Sequence, residues 1–339
     1  MPQEYCSHVF NLFALILSRA CYWERSMTRK PSRELIGYGI DLWEMLSYMR
    51  SVIVTQSHTF PQLAASFVKF TRAYHDLYAR RDKYPKLQTT QLGYLVMYTW
   101  VHRVNDGVDD ATLHIIDHLC KDSASTTRNA FCRKVIGYCG GPDAIAQRFN
   151  QELQRPDLHS EAFGACLRAL CLFGEPPAGD SFVPALVKCD IFKSLYESLL
   201  THVTGDYHEW MAIRKLPTLL WAMYSQCVEP TSPETYRHIE YLFAFMGRAA
   251  MLGPVHDSAD GVCTDQWVYI CDTVCLHTLV AKKSEPKRVF LEDTIRRYWQ
   301  PTIDFLNKYR SQHPESRANG NWAKTMNAWV KLGNALTCN

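Results

Sequence analysis

From Leu158 to Val203 the chain runs LHSEAFGACLRALCLFGEPPAGDSFVPALVKCDIFKSLYESLLTHV. Ala162, Cys166, Ala169, Leu170 and Phe173 recur at i, i+4, i+7, i+8 and i+11, which puts them on one side of a helix. Gly174 is a stop, and Pro176 and Pro177 keep that helix from resuming. Pro184 is placed to open a short helix through Val187. Asp190 is placed to cap a third, whose face is Phe192, Leu195, Tyr196, Leu199 and Val203 and whose end is Gly205. None of these helices can hide its apolar face alone, so each must lie against neighbours.

The same pattern extends outward in both directions. Toward the N-terminus, helices are expected from His8 to about Met27, from Pro31, and from Pro61, where Leu63, Phe67, Phe70, Tyr74, Leu77 and Tyr78 keep a 3.6-residue repeat. Thr90 to Val104 is apolar around most of its circumference and should be central. Shorter helices follow at Asp109–Cys120, Ser125–Tyr138 and Pro142–Gln154, broken by Gly140-Gly141-Pro142 and Arg155-Pro156-Asp157. Toward the C-terminus, Pro217 should kink or restart the segment from Tyr207 to Cys227. Ser232 and Pro233 open a helix to Ala250, and Leu252 to Gly261 reads as a polar loop. Cys263 to Lys282 follows, then a helix opened by Pro286 and interrupted by Pro301, then a last one from Trp322 to Leu336. No alternating apolar run is bounded like a hairpin. The expected class is all-α, as an armadillo/HEAT-like α-solenoid of roughly 13–16 helices, since short helices punctuated by Gly and Pro mark such units. The array is expected to be one continuous domain over residues 1–339, with a soft junction near 253–262.

Composition narrows the function. The hydrophobic fraction of 47% supplies a core, and a charged fraction of 21% is too ordinary for bulk disorder. A net charge of +3 argues against a nucleic-acid partner, which calls for a concentrated basic face. The 13 cysteines are irregularly spaced and form no Cys-x-x-Cys pair, which suits buried free thiols in a reduced cytosolic or nuclear protein. Neither apolar run, Val9 to Leu17 or Trp267 to Val280, is long enough to span a bilayer, so no membrane segment is expected.

Phe163 to Leu200, with Leu167-Arg168-Ala169-Leu170-Cys171-Leu172 and Ala185-Leu186-Val187-Lys188, resembles degenerate armadillo units. The segment Trp322-Ala-Lys-Thr-Met-Asn-Ala-Trp329-Val-Lys-Leu332-Gly333-Asn-Ala-Leu336 resembles the last helix of uncharacterised fungal helical proteins, many of which continue into a MYND zinc finger. That finger needs a series of Cys-x-x-Cys pairs, and none precedes Cys338 and Asn339. The resemblance therefore implies a member that lacks the finger or a sequence that stops before it. It implies no enzymatic activity.

Two constellations carry possible chemistry. Asp110, His114 and His118 lie four apart, so one helix face could offer a carboxylate and two imidazoles to zinc. His114-Ile115-Ile116-Asp117-His118 also resembles the inverted zinc-protease motif, with Asp in place of Glu. The competing explanation is an amphipathic helix with Leu113, Ile116 and Cys120 inward and the polar residues in solvent. Cys271, Cys275 and His277 do not share one face and lack a knuckle. The second constellation is Arg296, Arg297, Tyr298 and Trp299, where cations beside aromatics suit a partner surface. No nucleophile elbow, catalytic-cysteine signature or phosphate-binding loop occurs, and Asp106, Asp109 and Asp110 lack terpene-synthase spacing. The expectation is a non-catalytic scaffold without cofactor that binds a protein or peptide. The alternative is a zinc-dependent all-α hydrolase using Asp110, His114 and His118.

Overall fold

The structure is a computed structural model. It describes residues 91–102, 125–175, 178–202, 207–214, 216–226, 233–256, 264–266, 268–273, 286–313 and 320–337, with Leu113, Ile116 and single positions before residue 51. The helices are α1 (Gln91–His102), α2 (Ser125–Tyr138), α3 (Pro142–Leu153), α4 (Ser160–Phe173), α5 (Gly179–Lys188) and α6 (Ile191–Thr201), then α7 (Tyr207–Ile213), α8 (Leu216–Gln226), α9 (Pro233–His256), α10 (Pro286–Gln312) and α11 (Gly320–Thr337). Among the described residues there is no strand, and no helix is long and apolar enough to cross a membrane. The chain divides into two compact units, Met1–Phe182 and Val183–Asn339.

Among the described helices of the first unit, α1 packs on α2 and α3, α2 on α3 and α4, and α3 on α4. The turn between α2 and α3 takes the left-handed backbone, with φ of 92° at Gly140 and 110° at Gly141. Gly141 N–H donates back to Ile136 O at 2.8 Å, which closes α2, and Pro142 starts α3 at once. A side chain at either position would be strained, so this turn is fixed by its glycines. Phe149 fills the centre, edge-on to Trp100 at 4.9 Å, Phe173 at 6.0 Å and Phe182 at 6.1 Å. Burial of such rings contributes roughly 1.5–3 kcal/mol each.

A buried charge cluster sits on the same helix. Glu152, fully buried, pairs with Arg148 one turn earlier and with Arg155 at 2.9 Å. Arg155 also reaches Asp157 at 3.2 Å, and the Arg148 guanidinium lies 5.5 Å from the Trp100 ring centre. Desolvation is repaid only because both arginines face the same carboxylate, so the cluster specifies the pairing of α3 with the following turn more than it stabilises the unit.

The second unit is built around α9. That helix packs against α6, α7 and α8 before it in sequence, and α10 and α11 after it. Leu242, Phe243, Phe245, Met246, Ala249, Ala250 and Leu252 are buried along it, so apolar residues occupy more than one stripe. A helix covered on several sides needs this. Glu209 on α7 takes two hydrogen bonds from Arg248 on α9, at 2.5 and 2.7 Å, and is almost fully buried. Gly247 and Gly253 are the points of close approach: a Cβ at 247 would lie 3.2 Å from Thr302 Oγ1, and one at 253 would lie 3.6 Å from Trp210.

Several boundaries differ from the sequence expectation, each for a tertiary reason. Pro184 lies inside α5, which begins at Gly179. Pro301 does not interrupt α10, which continues from Pro286 to Gln312. Thr294, Ile295, Thr302 and Leu306 are buried around that proline, and their packing outweighs its lost backbone bond. The segment expected to be a loop from Leu252 is helical through His256, with Leu252, Gly253 and Pro254 buried in the last turns of α9. Residues 257–263 lie outside the described residues. Asp190 occupies the N-cap position of α6, but in the left-handed region at φ 52° and with no side-chain cap bond. Its Oδ1 instead lies 3.3 Å from Nε2 of His238, whose ring stacks on Phe192 at 4.2 Å.

Candidate partner-binding surface

Four consecutive helical residues point in four directions, because each step turns the helix by about 100°. Arg296, Arg297, Tyr298 and Trp299 on α10 are therefore shared between surroundings. Arg296 is exposed and pairs with Asp293 on its own helix at 3.2 Å. Trp299 turns toward α11: its Nε1 donates to Trp329 O at 2.7 Å, and Trp329 Nε1 donates to Trp299 O at 3.2 Å. Gly333 makes this possible, since a Cβ there would lie 2.5 Å from the Trp299 indole. Arg297 and Tyr298 face α9 and α6.

Around those two residues the structure assembles side chains distant in sequence. Arg297, 63% exposed, pairs with Glu240 on α9, which is 27% exposed. Beside Glu240, Tyr241 stacks on Tyr196 of α6 with ring centres 4.8 Å apart. Burial pushes the Tyr298 phenol well above its ordinary range, and hydrogen bonding with Tyr196 adds to this. Tyr196, Tyr241 and Tyr298 are each partly open to solvent. Leu200, one turn beyond Tyr196, is 60% exposed. The ridge thus combines aromatic faces, protonated phenol donors, an exposed arginine and an uncovered leucine. Tyrosine and arginine are enriched where partners bind tightly, and stacked rings offer rigid contact area at little entropic cost. Tyr196 and Tyr241 carried no signal in sequence, because helix-to-helix proximity decides their role.

The metal candidate, Asp110, His114 and His118, lies outside the described residues. Leu113 and Ile116 from the same stretch are fully buried, on the side the amphipathic alternative assigns inward. Among the described residues no group of three or more His, Cys, Asp or Glu side chains is placed to hold a metal ion. Cys132, Cys139, Cys166, Cys171, Cys189 and Cys271 form no disulfide, and all but Cys189 are buried. Burial pushes Cys132 and Cys139 up to about 12, against the weaker pull of Arg128 and Arg50 respectively. They are packing residues with inert sulfurs.

No family model, curated protein or solved structure matches the chain.

Proposed function

We propose that the chain is a non-catalytic scaffold that presents the Tyr196, Tyr241, Tyr298 and Arg297 ridge of its second unit to a protein or peptide partner. What supports this is the convergence of three tyrosines from three helices beside an exposed arginine and leucine. An armadillo/HEAT-like stack is part of the proposal. It draws support from the neighbour-to-neighbour packing of α1 to α4. The ion pair of Arg297 is exposed and contributes about 0–1 kcal/mol to the fold, so this residue can be changed without unfolding the chain. Arg297→Glu should reduce recovery of a co-purifying partner at least about tenfold, the scale of an interface hot spot. The same variant should melt within a few degrees of the parent protein. Equal recovery of one defined partner by both proteins would remove the ridge from the proposal.

A further inference from the structure

In the first unit, the crossing of α1 and α2 carries a second, chemically different surface. Tyr94 stacks on Phe131 at 5.5 Å and meets Tyr138 at 5.8 Å. Tyr98 meets Tyr138 edge-on at 5.6 Å and His102 at 4.4 Å. The guanidinium of Arg50 covers this group, 4.5 Å from the Tyr138 ring centre and 5.4 Å from that of Tyr98. Arg50 donates a hydrogen bond to a backbone oxygen, Ser47 O at 3.0 Å, and its side chain also interacts with the Tyr138 phenol. Lys134 is exposed one turn before Tyr138 on the same helix and so flanks the tyrosines.

Among the described residues, arginines divide between carboxylate partners and aromatic ones, Arg310 over the Trp322 ring at 4.6 Å being another of the second kind. Arg128, Arg148, Arg155, Arg248, Arg296 and Arg297 each pair with a carboxylate. Arg50 and Lys134 form no ion pair with any described carboxylate. Arg50 is instead held over aromatic rings, half exposed. Burial raises the Tyr94 and Tyr138 phenols above their ordinary range. A cation pair bordering three partly open tyrosines attracts an anion carried on a chain with apolar groups.

We infer that the Arg50, Lys134 and Tyr94–Tyr98–Tyr138 surface binds an acidic peptide segment, its carboxylates on the cations and its apolar side chains on the tyrosines. A nucleic acid fits less well. Duplex and single-strand binders neutralise a run of phosphates, and two cations cover only a small part of one. A peptide with a few clustered carboxylates matches the charge present. The surface belongs to the first unit and is independent of the ridge on the second, so either can fail without the other.

The test is fluorescence anisotropy on the full chain with a short labelled Glu-Leu-Gly repeat peptide, its Gln-for-Glu counterpart and an oligothymidine. The acidic peptide should bind saturably and weaken as salt rises, and the Gln peptide should not bind. Lys134→Glu should weaken binding about tenfold, as for a charge pair at an interface. Lys308→Glu, an exposed change in the second unit, should leave it unaltered. Lys134→Gln, with unchanged helical circular dichroism, repeats the test should the charge reversal perturb folding. Absence of saturable binding, equal binding of the Gln peptide, insensitivity to both Lys134 variants or tighter binding of the oligothymidine would each overturn the inference.

Discussion

A methyl group at position 333 would overlap the Trp299 indole, 2.5 Å away. Alanine is otherwise the better helix residue by roughly 1 kcal/mol. A rigid ring whose Nε1 is tied to Trp329 O cannot step aside cheaply, and overpacking costs roughly 1–3 kcal/mol. Gly333→Ala should therefore destabilise the protein, seen as a lower denaturation midpoint with an unchanged slope. The buried thiols give a second expectation. Cys132 and Cys139 ionise near 9 when unfolded and near 12 when folded. The unfolded chain loses these protons first as pH rises, so the stability they confer is complete below pH 9 and falls between 9 and 12. Alkylation at pH near 8 should modify Cys189 before Cys132, Cys139 or Cys166, and equal rates in the native protein would contradict their burial.

Helices were legible where local chemistry and packing agree. Ser125–Tyr138 and the start at Pro142 follow from capping and the glycine pair, because two left-handed residues in succession admit little else. Prolines were misread where tertiary contacts dominate. Pro301 sits in an unbroken α10, and an interior proline costs roughly 3 kcal/mol relative to alanine in an exposed helix. Pro301→Ala should accordingly raise the melting temperature, because the ring is exposed and the new N–H can donate to Arg297 O. An unchanged or lower melting temperature would contradict a cost of the proline in α10. The candidate surface was legible only in part. Arg297 and Tyr298 stood out by composition, whereas Tyr196 and Tyr241 lie 45 positions apart and meet only through packing of α6 on α9. Contiguity in sequence also suggested that Trp299 joins the patch, but helical rotation turns it toward Trp329.

For the whole molecule, the all-α class was readable because helical periodicity repeats across the chain and nothing alternates. The pattern of helix partners was not readable. Periodicity says that a face is covered but not by which helix, so the central place of α9 came only with the structure. The proposed scaffold role calls for no metal. Chelation should leave the melting temperature of the purified chain unchanged, whereas a fall of several degrees, abolished by His114→Ala with His118→Ala, would bring the hydrolase alternative back.

The position of α9 also bears on how the protein is made. Three of its partners, α6, α7 and α8, leave the ribosome before it, but α10 and α11 leave after it. Between the emergence of His256 and that of Thr337, part of the apolar surface of α9 has no permanent cover. At translation speeds of roughly 5–20 residues per second this interval lasts roughly 4–16 s. Collapse of a small chain takes microseconds, so for most of that time the nascent second unit is compact but unfinished, with a sticky helix exposed to whatever is nearby. The pace at which residues 257–337 are made therefore sets how long that surface stays uncovered.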